Sequence, residues 1–299
     1  MKINIDINYF PYKIEKLLSN LLIIPGNYSR LKRNDLEKIK KLLMEIKKKY
    51  NIIPSNAIIR SIRSAYMNQR FILTHDKLIN NKKIIIKHYN NNISILDISK
   101  KLDLSPIKLL KIILKNKGYT SKDISSLLYL ISSTNDIKKI KKIYHIPLNT
   151  KFIIIVKKII EKDIFNQIDQ KSIKGYADAF EKKVEYSIDN IYGLKYKTEK
   201  NLIDEQTKKY GKPIITPDFL LLDDLYINKI KINWIDAKNY YGANTILIKK
   251  NIKKQAEKYN KAFGSGAIIF NLGVSSILNE KLKLKDTLLI SFNDFNDIE

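Results

Sequence analysis

The sequence predicts a two-part chain of mixed α and β structure (α+β or α/β). Residues 1–165 repeat apolar side chains at helical spacing and hold 34 Lys and Arg against 12 Asp and Glu, whereas residues 166–299 hold 22 against 18. From Gly175 onward, short apolar runs typical of strands alternate with helical patterns, which favours a sheet covered by helices. We therefore expect a basic, all-helical region over 1–165 and an αβββαβ core with a mixed sheet over 166–299.

In the first region, a helix is predicted from Asn34 or Asp35 until Pro54 breaks it, followed by helices over 56–71 and 75–89. A helix-turn-helix is predicted next. Its first helix covers 93–102, and Ser105-Pro106 begins the second helix, which continues to Lys115. Ser at the N-cap followed by Pro at the first helical position is a strong signal for a helix start.

The second helix of this pair carries lysines along one predicted outer face, namely Lys108, Lys111 and Lys115. A face with lysines and without Arg, Asn or Gln predicts contacts to phosphates rather than to base edges. A plain helical hairpin with solvated lysines would give the same pattern. The net charge of +26, concentrated in residues 1–165, favours nucleic acid as the partner, with DNA favoured and RNA possible.

The composition excludes several classes of site. The chain has no cysteine, which rules out disulfides and thiolate zinc sites, and its three histidines stand apart from the acidic residues discussed below. Asp6 interrupts the segment where a signal peptide would be apolar, and no apolar run is long enough to span a bilayer. We therefore expect an intracellular protein, in the nucleus or the cytoplasm, without a membrane partner.

The second region should begin with a helix from Tyr176 to Tyr192 that turns Phe180, Val184 and Ile188 inward and carries Glu181 at the border of that stripe. A short strand is predicted over 194–198, and a hairpin over 219–222 and 230–237. A helix from Asn244 or Thr245 to Phe263 and a final buried strand over 267–272 complete the expected core.

The hairpin carries the residues that predict chemistry. Asp236 and Lys238 are two positions apart on a strand and therefore share a face, and the hairpin would bring Asp218 beside them. Two carboxylates, with the carbonyl of Ala237, suit Mg²⁺ or Mn²⁺, and the lysine can orient a water or stabilise negative charge on a phosphate. Acid-x-lysine alone is a weak motif. These residues nevertheless predict a metal-dependent nuclease.

Three further side chains are candidates for the wall of this site. The predicted helix after the hairpin places Gln255 and Tyr259 in an otherwise apolar stripe, where both need polar partners. Each alone is compatible with an ordinary helix position, but beside three charged strand residues they favour an active-site wall. Glu181 is expected to reach the metal through water.

The order Glu181, Asp218, Asp236-Ala237-Lys238 and Gln255-x-x-x-Tyr259 resembles the PD-(D/E)XK nuclease superfamily, which implies a restriction-endonuclease-like core. Within that superfamily, residues 215–221, 232–238 and 259–270 are similar to the codanin-interacting nuclease family, whose signature is Thr-Pro-Asp. The run 98–106 is similar to its helical, DNA-binding-like region. The resemblance implies metal binding by Asp218 and Asp236, catalysis by Lys238, and supporting roles for Glu181 and Gln255.

One departure is Asp236, where animal members of that family have Glu. Animal members are also linked to the nucleus and bind codanin, so a codanin-like partner follows from the resemblance only. Two other functions fit the same sequence. One is a non-catalytic nucleic-acid-binding or scaffold protein that keeps the nuclease fold, and the other is a helix-turn-helix transcription regulator with an accessory domain.

Overall fold

The computed structural model describes residues 1–134, 150–165 and 170–296, and they form two compact units. Among the described residues, the first unit contains 1–19, 45–66 and 172–296, and the second contains 20–44, 67–134, 150–165 and 170–171. Helices α1 (Tyr12–Leu22), α2 (Arg33–Tyr50) and α3 (Asn56–Leu73) contribute residues to both units. The predicted boundary between 165 and 166 adjoins residues 166–169, which lie outside the described residues.

The second unit is helical. Within the residues that the structure describes, its remaining helices are α4 (His75–Asn80), α5 (Lys82–Asn90), α6 (Ile95–Leu102), α7 (Pro106–Asn116), α8 (Ser121–Ser133) and α9 (Thr150–Glu161). The single helix predicted over 75–89 is wrong in one respect, because Asn81 ends α4 and begins α5. The predicted pair of helices is present as α6 and α7. Ser94 and Ser105 cap them, each accepting a backbone N–H three residues later.

Helix α7 lies inside this unit rather than on its edge. It packs against α5, α6, α8 and α9, and it buries five aliphatic residues, Ile107, Leu109, Leu110, Ile113 and Leu114. Helical spacing predicts an inward stripe of only Ile107, Leu110 and Leu114, so the buried face is wider than that prediction. Only the side that carries the lysines is left partly open.

The first unit is built on a mixed sheet of six strands within the described residues: β1 (Lys2–Ile3), β2 (Tyr196–Thr198), β3 (Phe219–Ile227), β4 (Ile230–Lys238), β5 (Gly266–Phe270) and β6 (Thr287–Ser291). The strand order is β1-β3-β4-β5-β6, and β2 also pairs with β3. Strand β3 is antiparallel to β4, whereas β4, β5 and β6 are parallel to one another. The sheet is therefore mixed, as predicted.

Helices cover both faces of this sheet. On one face, α10 (Gln170–Asn190) and α14 (Phe292–Asn296) pack through Phe180, Val184, Ile188 and Phe295. On the other face, α12 (Ile246–Phe263) and α13 (Ser276–Leu282) pack through Ile252, Tyr259 and Leu278 against Trp234. From Trp234 onward the residues of β4 alternate between these two cores, so Asp236 and Lys238 share the face of Trp234. Before Trp234 the pairing with β3 shifts register between Leu220 and Leu225, which interrupts the alternation.

The expected element order lacked α13 and α14, which follow the strand expected to be last, and three further elements were also missed. Strand β1 adds the N-terminal residues to the sheet, so residues 1–165 are not all helical. The period-two run Ile3, Ile5, Ile7 carries that signal. Helix α11 (Glu199–Tyr210) separates β2 from β3. Strand β6 follows the strand expected to be last.

Candidate active site at the end of strand β4

The paired ends of β3 and β4 bring the two predicted aspartates together. Leu220 pairs with Trp234 and Phe219 with Ile235, so continuing this register by one residue places Asp218 opposite Asp236. Asp218 Oδ2 accepts a hydrogen bond of 2.7 Å from the backbone N–H of Ala237. Asp218 is partly buried, and Asp236 is only 1% exposed. Both carboxylates thus occupy the end of the hairpin, as the sequence predicted.

A chain of contacts extends from Asp236 to helix α12 and to the Thr-Pro-Asp segment. Lys238 Nζ forms an ion pair with Asp236 Oδ2. Gln255 Nε2 donates to Asp236 Oδ1 at 2.7 Å and to the Tyr259 hydroxyl at 3.2 Å. That hydroxyl donates in turn to the carbonyl of Thr216 at 3.1 Å. The polar residues of α12 therefore fix both the carboxylate of Asp236 and the segment that leads to Asp218.

The electrostatics of the two carboxyl groups are unfavourable without a cation. Burial raises the pKa of Asp218 to about 7, and the negative charge of Asp236 adds to this effect. Burial also raises the pKa of Asp236, against the attraction of Lys238. Burial by itself would lower the pKa of Lys238, but the adjacent Asp236 carboxylate raises it overall. Lys238 is therefore an ammonium at neutral pH, and its single positive charge faces two carboxyl groups.

Two more acids contribute to this field. Glu181 on α10 is partly buried, and its pKa is raised by burial and then by the charge of Asp218. Glu199, the first residue of α11, also raises the pKa values of Glu181, Asp218 and Asp236. Its backbone N–H donates to the carbonyl of Asp218 at 2.9 Å. Glu181 was predicted, whereas Glu199 was missed because α11 was not expected.

Tyr240 is a second residue that the sequence reading missed. Burial raises the pKa of its hydroxyl, and the same hydroxyl interacts electrostatically with Lys238 and Asp236. Its ring stands edge-on to Phe270 with 5.8 Å between centroids. Tyr240 lies two residues after Lys238, so it borders the charged site on the side where β4 ends.

The residues present fit a divalent cation with oxygen ligands. Within 1–134, 150–165 and 170–296, no group of three or more His, Cys, Asp or Glu side chains is arranged to hold a metal by itself. Mg²⁺ does not require such a group, since it commonly uses one or two carboxylates together with waters and substrate phosphates. Asp218 and Asp236, with the carbonyl of Ala237, would supply the protein oxygens. A cation there would offset the burial and the repulsion from Asp236 that together raise the pKa of Asp218.

The predicted nucleic-acid-binding lysines lie in the helical unit and differ in exposure. Lys115 is exposed, whereas Lys108 and Lys111 are partly buried. Lys108 Nζ sits 4.4 Å from the centroid of the Phe71 ring, and burial lowers its pKa. Lys108 therefore rests against an aromatic ring instead of projecting fully into solvent.

No helix in the part of the chain that the structure describes is long and apolar enough to cross a membrane. No solved structure is significantly similar to the chain. The chain is 30% identical over 202 residues to an uncharacterised protein of Acanthamoeba polyphaga mimivirus. The aligned residues make up 66% of this chain and 61% of the viral protein. The chain thus spans less than two thirds of that relative. Residues 149–292, which contain Thr216-Pro217-Asp218, match the family described as a protein of unknown function with a TPD sequence motif.

Proposed function

We propose that the protein is a Mg²⁺- or Mn²⁺-dependent nuclease that hydrolyses phosphodiester bonds of nucleic acid, with DNA favoured. The observation that carries the proposal is the pairing of Asp218 and Asp236 across the hairpin, with Lys238 in contact with Asp236. A structural ion pair requires one acid and one base. A second carboxyl group with a raised pKa beside that pair supports a cation site, because a bound cation would offset its burial and its repulsion from Asp236.

The chain's own residues can be assigned roles in such a reaction. A bound divalent cation would supply Lewis-acid activation and neutralise charge on the phosphate. Asp218 and Asp236 would hold it, and Gln255 would keep Oδ1 of Asp236 in position. Lys238 stays protonated because of Asp236, so it would stabilise the negative charge that develops on the phosphate rather than remove a proton from water. Glu181, whose pKa is raised, is the better candidate to accept that proton.

Two further features support a nuclease of the PD-(D/E)XK type. The αβββαβ order is present with α11 inserted between β2 and β3, and the acidic and basic residues occur in the order typical of that superfamily. The match to the family with a TPD motif covers the same residues, although that family carries no assigned activity. We therefore also propose a restriction-endonuclease-like fold and a likeness to the codanin-interacting nucleases.

The test is a cleavage assay on single-stranded, duplex and branched DNA and on RNA, with Mg²⁺ or Mn²⁺. We expect the wild-type chain to cleave at least one substrate, and Asp236→Asn and Lys238→Ala each to reduce the rate by about a hundredfold or more. Asp204→Asn is the matched control, because Asp204 is exposed on α11. Wild-type activity that survives both site substitutions would overturn the assignment. Absence of cleavage on the whole panel would favour a non-catalytic binding protein.

A further inference from the structure

The helical unit contains an open groove that is separate from the acidic site. It has a volume of about 540 Å³ and lies between α4, α5, α7 and α8. Its polar lining is basic or hydroxylic and consists of His75, Lys82, Lys108, Lys111, Lys115, Ser121 and Ser125. Among the described residues that line it, none is Asp or Glu. Asp163 acts electrostatically on Lys108 from outside the lining, but four lysines on the wall still give the cavity a positive potential that attracts anions.

The groove also has an apolar component, formed by Leu78, Ile79, Ile112 and Ile124. Ile79 is 55% exposed and is therefore accessible to a ligand in the groove. A surface that recognises only phosphates needs no apolar residues, since ammonium and hydroxyl groups provide all the contacts. The combination predicts a ligand that carries both negative charge and a flat or apolar group.

Lys108 is the fixed member of the cationic side. Its Nζ lies over the Phe71 ring at 4.4 Å from the centroid and 3.4 Å from the Phe71 carbonyl oxygen. Lys82 and Lys115 are exposed and free to follow a flexible chain. The groove thus offers one positioned ammonium at its wall and mobile ammoniums beside it.

We propose that this groove binds single-stranded nucleic acid, with phosphates on the lysines and an unpaired base on the aliphatic residues. This inference rests on the proposed function in one respect, because the proposed nuclease activity identifies the ligand as nucleic acid. A duplex would present its phosphates outward and keep its bases stacked, so it could not reach the apolar residues in a concave site.

The first test is fluorescence anisotropy with a labelled single-stranded oligonucleotide, on the whole 299-residue chain carrying Asp236→Asn, in EDTA. This background separates strand binding from metal binding and cleavage. The double variant Lys82→Glu with Lys115→Glu removes two phosphate contacts. Each contact contributes about 0.7 to the slope of log K against log salt, so binding at 0.1 M salt should weaken about 25-fold. The matched control is Lys83→Glu with Lys101→Glu, which changes the charge equally at the first turn of α5 and the last turn of α6.

Equal weakening by the two double variants would show that only net charge matters, and it would overturn the groove. The second test addresses the apolar residues with Ile79→Ser, compared with Ile84→Ser, which is 45% exposed and outside the groove. Wild-type protein should bind the oligonucleotide more tightly than an abasic strand of equal length, and Ile79→Ser should reduce that preference. Tighter binding to duplex, or stronger competition by poly-glutamate than by the oligonucleotide, would contradict the proposal. Failure of cleavage alone would leave these binding results unchanged.

Discussion

Replacing Asp218 by Asn should stabilise the metal-free protein at alkaline pH, because the substitution removes a carboxylate whose charge is opposed by burial and by Asp236. The Asn side chain has the same shape, and its carbonyl oxygen can still accept the 2.7 Å hydrogen bond from the N–H of Ala237. The substitution therefore removes only the negative charge of Asp218. Most substitutions at partly buried sites destabilise a protein, so a gain in stability is a distinctive outcome.

The magnitude follows from the pKa of Asp218, about 7 in the folded chain against 3.8 for an ordinary Asp. Below the lower value the carboxyl is protonated in both states and has no effect on stability. Between the two values the unfolded chain ionises first, so stability falls as the pH rises, and the penalty is complete above the higher value. This difference corresponds to an upper limit of about 4 kcal/mol, and the shared titration with Asp236 reduces our expectation to about 2 kcal/mol.

The assay is thermal unfolding in EDTA, monitored by the fluorescence of Trp234. Trp234 is the only tryptophan in the sequence, and it lies in the core of the first unit. At pH 8 the Asp218→Asn variant should melt roughly 4–8 °C above the wild type, and at pH 5 about a third of that gain should remain. Asp204→Asn should be neutral at both values. The reasoning is refuted if Asp218→Asn lowers the melting temperature at pH 8, or if its gain does not depend on pH.

Two further predictions concern the frame of the site, and both use denaturant unfolding monitored by Trp234. Gly266→Ala should cost about 3 kcal/mol, because its Cβ would lie 2.3 Å from the Trp234 ring, whereas Gly175→Ala, which meets nothing within 4 Å, should be neutral or stabilising. Glu15 is fully buried and accepts hydrogen bonds from the hydroxyls of Tyr66 and Tyr241 and from the N–H of Asn244. Glu15→Ala should therefore lower the free energy of unfolding by about 3 kcal/mol or more, whereas Tyr66→Phe should lower it by about 1 kcal/mol. Equal effects within either pair would contradict the assigned contacts.

The local signals for the centre of the site were strong in the sequence. Strand alternation placed Asp236 and Lys238 on one face, and the hairpin brought Asp218 opposite Asp236. The helical spacing of Gln255 and Tyr259 likewise predicted their shared polar contacts. These relations depend on residues close in sequence, where a period of 2.0 or 3.6 is sufficient.

Other features depended on weaker signals or on distant parts of the chain. Glu199 was missed because the capping box of α11 uses Asn201 where Glu or Gln is usual, so the helix start was not recognised. The pairing of β1 with β3 joins Lys2 to Tyr226, and no local pattern specifies such a partner. The partial burial of Lys108 against Phe71 likewise depends on tertiary packing, because a long aliphatic stem allows a lysine to rest on an aromatic ring.

The central claim is that Asp218 and Asp236 together bind a divalent cation. Isothermal titration of Mn²⁺ into the full chain at pH 8 measures this directly. We predict a saturable site in the wild type that is lost in Asp218→Asn and in Asp236→Asn and is retained in Asp204→Asn. Equal Mn²⁺ affinity in all four proteins, or no binding to the wild type, would contradict the claim.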